Sequence, residues 1–122
     1  MGAGIMLISP KNRTLIIKRS KYKSDPYSEM WNFAGGTSED NESDYETAVR
    51  ETKEEIGDCD YQIYNHVKTK YYTLFFATVS KEFIPTLDHE HTDYLWIDVK
   101  HLSKINLHPK DFYSLRKAKI IC

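Results

Sequence analysis

Three glutamates, Glu51, Glu54 and Glu55, stand at i, i+3 and i+4 of one short run. On a helix those spacings put side chains on one face, so three carboxylates crowd together. Each such like-charge pair weakens a helix by roughly a few tenths of a kcal/mol, and a divalent cation among them reverses the penalty. All-oxygen ligands suit Mg²⁺ or Mn²⁺, ions that keep several waters and complete their shells with phosphate oxygens. The chemistry indicated is attack on a phosphate ester or anhydride. Arg50 lies four residues before Glu54 and four after Glu46, where a guanidinium can brace both carboxylates. Gly35 and Gly36 give the preceding segment unusual backbone angles and close approach, so that a carbonyl can face an ion where a side chain would obstruct it.

A glutamate-rich helix alone is commonly a solvated face. The joint pattern Gly36, Glu42, Arg50, Glu51, Glu54, Glu55 and Gly57 is far more specific. At roughly one in fifteen per fixed residue, chance places it in such a chain on the order of once in a million.

The elements that must hold these groups can be read from periodicity. From Ser43, residues Tyr45, Ala48, Val49, Thr52 and Ile56 recur every three to four positions and predict an amphipathic helix. Ser43 with Glu46 forms a capping box, and Gly57 stops the helix. Residues 3–8 and 13–19 read as a hairpin across Ser9-Pro10-Lys11-Asn12. Residues 20–30 read as a surface loop leading into Trp31-Asn32-Phe33-Ala34-Gly35-Gly36. Residues 61–67 and 70–79 are aromatic and β-branched strands, the second nearly continuously apolar and so a candidate central strand. A polar loop, 85–92, precedes a strand at Tyr94–Ile97, and Pro109 opens a helix through about Lys117.

With 122 residues, 40% hydrophobic and 29% charged, the chain suits one domain, residues 1–122, with its own core. Its formal charge of −1 supplies no large field for nucleic acid or an anionic membrane. Lys18, Arg19, Lys21 and Lys23 form a local basic patch able to hold a few phosphates. Cys59 and Cys122 show no metal-binding spacing and read as free thiols of a reducing compartment. The apolar stretch at residues 2–8 lacks a basic leader and the length of a span, which leaves the cytoplasm as the expected location.

The run Gly36–Gly57 resembles the Nudix box, G-x5-E-x7-R-E-U-x-E-E-x-G-U, where U is a bulky aliphatic residue. Thr52 and Asp58 depart from the two U positions. Residues 30–36 resemble the family's W-x-F-P-G-G entry with Ala34 in place of proline, and Glu90, six residues before Trp96, resembles a loop glutamate of several members. The resemblance implies an α/β class fold, an α/β/α sandwich around a mixed β-sheet. It further implies that Glu51, Glu54, Glu55, Glu90 and the Gly36 carbonyl hold Mg²⁺, with Mn²⁺ able to substitute, that Glu42 supports the site and that Arg50 orients the carboxylates. The general base it implies is Glu51, Glu54 or Glu90. Arg19, Gly35 and Gly36 are the implied substrate contacts.

The reaction so implied is hydrolysis of a diphosphate linkage in a small nucleoside diphosphate-X substrate, such as a (d)NTP, a dinucleoside polyphosphate or a nucleotide sugar, by a monomer or homodimer. The alternatives are removal of a 5′ diphosphate or cap from RNA and a catalytically silent nucleotide-binding domain. Other candidates have plain structural readings. Trp31 and Phe33 are base-stacking residues or core. Tyr71 and Tyr72 alternate faces, so one of them looks away from the core. His66, His89, His91, His101 and His108 read as loop residues, with His89-x-His91 the nearest approach to a zinc pair.

Overall fold

The computed structural model describes all 122 residues. Strands β1 (Gly2–Ile8) and β2 (Arg13–Arg19) form the expected hairpin. In its turn Asn12 takes a φ of 56°, a conformation asparagine tolerates. The two strands pair at Ile8 and Thr14 beside the turn and then diverge. The segment expected as an entry loop fills the gap as two short strands. Strand β3 (Trp31–Asn32) pairs with β2, and β4 (Ala34–Thr37) pairs with β1 from Gly2 to Ile5. Backbone enclosed between diverging strands has no water to bond, so it joins the ladder. Phe33, between them, donates its N–H to Asp111 Oδ2 at 3.0 Å.

Strands β5 (Gln62–Lys68), β6 (Tyr72–Thr78) and β7 (His91–Asp98) complete a seven-stranded mixed sheet. β6 runs parallel to β1 along its whole length, between β1 and the edge strand β5, which explains its nearly continuous apolar run. β7 lies antiparallel to β2, and its first residue is His91, inside the segment expected as loop.

The pleat of β1 sends alternate side chains to two cores. Ala3, Ile5 and Leu7 pack with Ala48 and Ile56 of helix α1 (Asp44–Ile56). Met6 packs on the other face with Leu74, Phe76 and Leu115 of helix α2 (Pro109–Lys117). Leu102, from a 3₁₀ turn at Val99–Lys104 too short to show a period, closes the second core. The architecture is the expected α/β/α sandwich around a mixed sheet.

The Ser43–Glu46 capping box is present, and Gly57, at φ 85°, ends α1 in a conformation that favours glycine. The apolar stripe is rotated from the expected one. Tyr45 is 57% exposed, while Thr47 and Glu55 are buried beside Ala48, Thr52 and Ile56. β4 lies across this face and partners Glu55 through the Gly35 N–H, while Ser38 and Glu42, from the segment between β4 and α1, bond Thr47. Thr52 is buried at an aliphatic position of the motif, and Asp58 is exposed and 3.6 Å from Lys53 Nζ. No helix is long and apolar enough to cross a membrane.

Candidate active site

β4 passes so close to α1 that its glycines and the helix carboxylates share one space. Gly35 donates its backbone N–H to Glu55 Oε1 at 2.8 Å. A Cβ on Gly36 would lie 2.5 Å from the Glu51 carboxyl carbon, and one on Gly35 would lie 2.7 Å from Gly4 Cα and strike the Tyr72 hydroxyl. Neither glycine takes a positive φ, contrary to the unusual angles expected of them. They are extended residues of β4, and the requirement is for close approach alone.

The three carboxylates descend from solvent to core. The Glu54 side chain is 54% exposed and that of Glu51 16%, while Glu55 is 6% exposed. Burial raises the pKa of Glu51, and the nearby charges of Glu54 and Glu90 add to this against the opposing Arg50. Burial pushes Glu55 further, to about 8, opposed by the Gly35 N–H and by Lys110. Neither Arg50 at Glu51 nor Lys110 at Glu55 outweighs this desolvation.

Arg50 supplies positive charge at the rim. Its Nε and Nη2 bond the Glu42 carboxylate at 2.7 and 3.0 Å, its Nη1 reaches Glu51 at 3.0 Å and Glu54 at 3.3 Å, and its Nη2 donates to the Thr37 carbonyl at 3.1 Å. The Arg50 hydrogen bonds, helped by the Glu39 N–H, hold Glu42 down at about 2. Glu46 is not braced by Arg50 as expected, because its carboxylate closes the capping box on Ser43 N at 3.0 Å.

Glu90 sits exposed on the segment before β7, held from both sides. Its N–H points to Asp88 Oδ1 at 3.3 Å, and its carbonyl accepts from Ser20 N at 2.8 Å. The same segment is tied to the end of α1 through Thr86 N to Ile56 O and Asp88 N to Glu55 O. His91 is a buried strand residue rather than a loop residue, its Nδ1 2.8 Å from Asp88 Oδ1. Arg19 is clasped by Asp25 Oδ2 at 2.8 and 3.0 Å. Its charge nevertheless reaches His91, His108 and Asp111.

Beside Gly36 opens a cleft of about 350 Å³ lined by Thr37, Tyr71, Tyr72, His108 and Lys110, among others. Tyr71 is 68% exposed and Tyr72 buried, the alternation expected of neighbouring strand positions. Phe33 is fully buried core, and Trp31 is half-buried in β3. Burial, with Lys110 nearby, lowers His108 to about 4, so its imidazole is neutral near pH 7; its Nδ1 accepts from Lys110 N at 3.1 Å. Sequence reasoning missed Asp88, His108, Lys110 and Asp111. The proline of the α2 start marked the neighbourhood of His108, Lys110 and Asp111, while Asp88 lay unmarked in the segment read as a polar loop, since none stands at a diagnostic spacing.

The pattern of the NUDIX domain family matches residues 1–118. The chain belongs to the Nudix family. It is a Nudix-type pyrophosphohydrolase by that membership, in a family whose enzymes act on diphosphate linkages and generally use divalent metals. Dihydroneopterin triphosphate diphosphatase of Haemophilus influenzae is 32% identical, with 73% of this chain and 67% of that protein covered. The Nudix hydrolase RenU of M. smegmatis superposes with a TM-score of 0.82 at 18% identity, covering 97% of this chain and 82% of that one. The C. elegans Ap4A hydrolase gives 0.76 at 21% identity, covering 98% and 96%. Both structures share the Nudix fold seen here.

Proposed function

We propose that this Nudix enzyme hydrolyses the diphosphate linkage of a small nucleoside diphosphate-X-type substrate in a Mg²⁺-dependent reaction, with Mn²⁺ able to substitute, and that residues 1–122 act as one catalytic unit. The observation that carries the reading is the pair Glu51 and Glu55, desolvated against a strand with no side chain at Gly36. An all-oxygen cradle short of positive charge fits a hard divalent cation. Glu51, Glu54, Glu55, Glu90 and the Gly36 carbonyl are its ligands on this reading. When bound, the ion neutralises the diphosphate and favours in-line attack by water. Arg50 orients Glu51 and Glu54 through its Nη1. Glu51, Glu54 or Glu90 takes the proton from the attacking water.

The cleft beside Gly36 supports a substrate with a flat heterocycle. Tyr71 offers an exposed ring face, neutral His108 a hydrogen-bonding edge and Lys110 a charge for a phosphate or carbonyl. Gly35 and Gly36 line the approach, and Arg19, once released from Asp25, is within electrostatic reach. The similarity to dihydroneopterin triphosphate diphosphatase supports a triphosphate carrying a purine- or pterin-sized ring. The near-neutral charge favours such a molecule over an RNA end. Both cysteines are unpaired, which supports a reducing, cytoplasmic setting.

The test incubates (d)NTPs, dihydroneopterin triphosphate, dinucleoside polyphosphates and nucleotide sugars with the protein and Mg²⁺. Wild type is expected to outpace Glu54→Gln on at least one triphosphate; equal rates on every compound overturn the reading.

A further inference from the structure

The cleft beside Gly36 adjoins a second groove of about 310 Å³, lined by Thr69, Lys70, Tyr71, Tyr72, Lys110 and Tyr113. The two hollows share Tyr71, Tyr72 and Lys110 as a common wall. The second is almost wholly apolar at its surface, yet both of its outer tyrosines stand in solvent, Tyr71 at 68% and Tyr113 at 60% exposed. Helix α2 docks on the sheet through Leu115 and Phe112, and Tyr113 lies outside that core. Single exposed aromatics are ordinary, but two that converge on one apolar groove mark a surface for a ligand. Cations stand beside the rings, Lys70 Nζ at 5.2 Å from the Tyr71 centroid and Lys110 Nζ at 5.1 Å from that of Tyr72. Lysine ion pairs form only at Lys53 and Lys68, which leaves both of these ammonium groups for an anion.

The geometry points to a second ring-binding subsite, in which the groove of Tyr71 and Tyr113 takes a flat ring carried on the X side of the diphosphate. The substrate class this selects is a dinucleoside polyphosphate, with one base in the cleft beside Gly36, the other against Tyr113 and the phosphates along Lys110 between them. The assignment rests on the reading of the Gly36 cleft as the substrate cleft. Stacking accepts any base, since every base has a π face, so the subsite selects for the presence of a second ring rather than for its identity. An ammonium group on the shared wall suits a chain of phosphates as a point charge. Each hollow alone stands near the lower end of the range for ligand sites, roughly 300–1,000 Å³, and a two-ended molecule occupies both. A triphosphate with one ring uses the first cleft and gains nothing from Tyr113.

The experiment measures binding of diadenosine tetraphosphate and of ATP in Mg²⁺ by calorimetry, on the full chain carrying Glu54→Gln to slow turnover, and repeats it with Tyr113→Ala or Tyr113→Phe added. Tyr113→Ala is expected to weaken diadenosine tetraphosphate about tenfold, within the range for loss of one aromatic stacking partner, and to leave ATP unchanged. Tyr113→Phe keeps the ring and is expected to bind both ligands as its parent does. In steady-state kinetics without Glu54→Gln, Tyr113→Ala is expected to raise KM about tenfold for diadenosine tetraphosphate alone. An equal loss for both ligands, a loss for neither, or no binding of diadenosine tetraphosphate overturns the proposal. Failure of wild type to hydrolyse either compound counts against the proposed reaction, whereas the calorimetric difference between the two ligands decides the subsite.

Discussion

The rim and the floor of the carboxylate face are built on opposite electrostatic terms. At the rim, Glu42 is saturated by Arg50, the Glu39 N–H and Thr47 and stays ionised to about pH 2. On the floor, in the last turn of α1, Glu55 has a single N–H donor within the protein and is held neutral up to about pH 8. The rim is complete in itself and sets geometry. The floor is incomplete, and its deficit of positive charge is what a cation can satisfy. Clusters of acids are therefore better judged by how far each is already satisfied than by their number.

Altering the floor is expected to have the largest effect. Glu55→Gln can still accept the Gly35 N–H but brings no charge, so kcat is expected to fall by about a thousandfold or more, in the range seen when a principal electrostatic group is lost. Its stability effect has the opposite sign. The folded pKa of Glu55 is raised above its ordinary 4.5, so its contribution to stability is fully present below pH 4.5 and is lost as pH rises through about 8. In chelator, the melting temperature of wild type should fall between pH 5 and 8.5, and Glu55→Gln should flatten that fall. An unchanged slope would show that burial of Glu55 is offset by something other than protonation.

Altering the rim should have a middling effect. Arg50→Ala leaves four nearby acids without a counter-charge and the Thr37 carbonyl without a donor. About 2 kcal/mol of stability loss is expected in urea unfolding, typical of charge-assisted bonds, with kcat lowered more than KM is changed. A KM-only effect would assign Arg50 to substrate binding and erase the contrast with the floor.

The glycines sharpen the contrast further. Gly36→Ala drives a methyl into the Glu51 carboxyl, a flexible side chain that can move, so activity should drop by about tenfold with little loss of stability, since a 1 Å misplacement is costly to catalysis. Gly35→Ala meets the backbone of Gly4 and should cost about 1–3 kcal/mol through overpacking. Thermal melts and steady-state rates of the pair check the difference. The smallest effect belongs to Ser43→Ala, which removes the cap from Glu46 N and should cost about 1 kcal/mol with kcat unchanged.

The elements legible in the sequence were those whose signal is local. The hairpin of β1 and β2, the capping box, α1 up to Gly57, the apolar run of β6 and the Pro109 start of α2 all follow from propensity, periodicity or cap chemistry within a few residues. The strands β3 and β4 were not legible. Trp31–Thr37 looks like loop because its strand character comes from partners on β1 and β2, contacted only after the hairpin splays. The stripe of α1 was misplaced for a similar reason, since Thr47 and Glu55 are inward through bonds to Ser38, Glu42 and Gly35 rather than through hydropathy.

The sequence by itself determined the family, the carboxylate triplet and its arginine, because helical spacing alone puts Glu51, Glu54 and Glu55 close together. Only the tertiary structure decided which of them is buried, that Gly36 must lack a side chain because of Glu51, and that Asp88 and His91 lie beside Glu55. Desolvation and contacts between residues distant in the chain depend on how β4 and the segment before β7 pack against α1, and no local pattern encodes that packing.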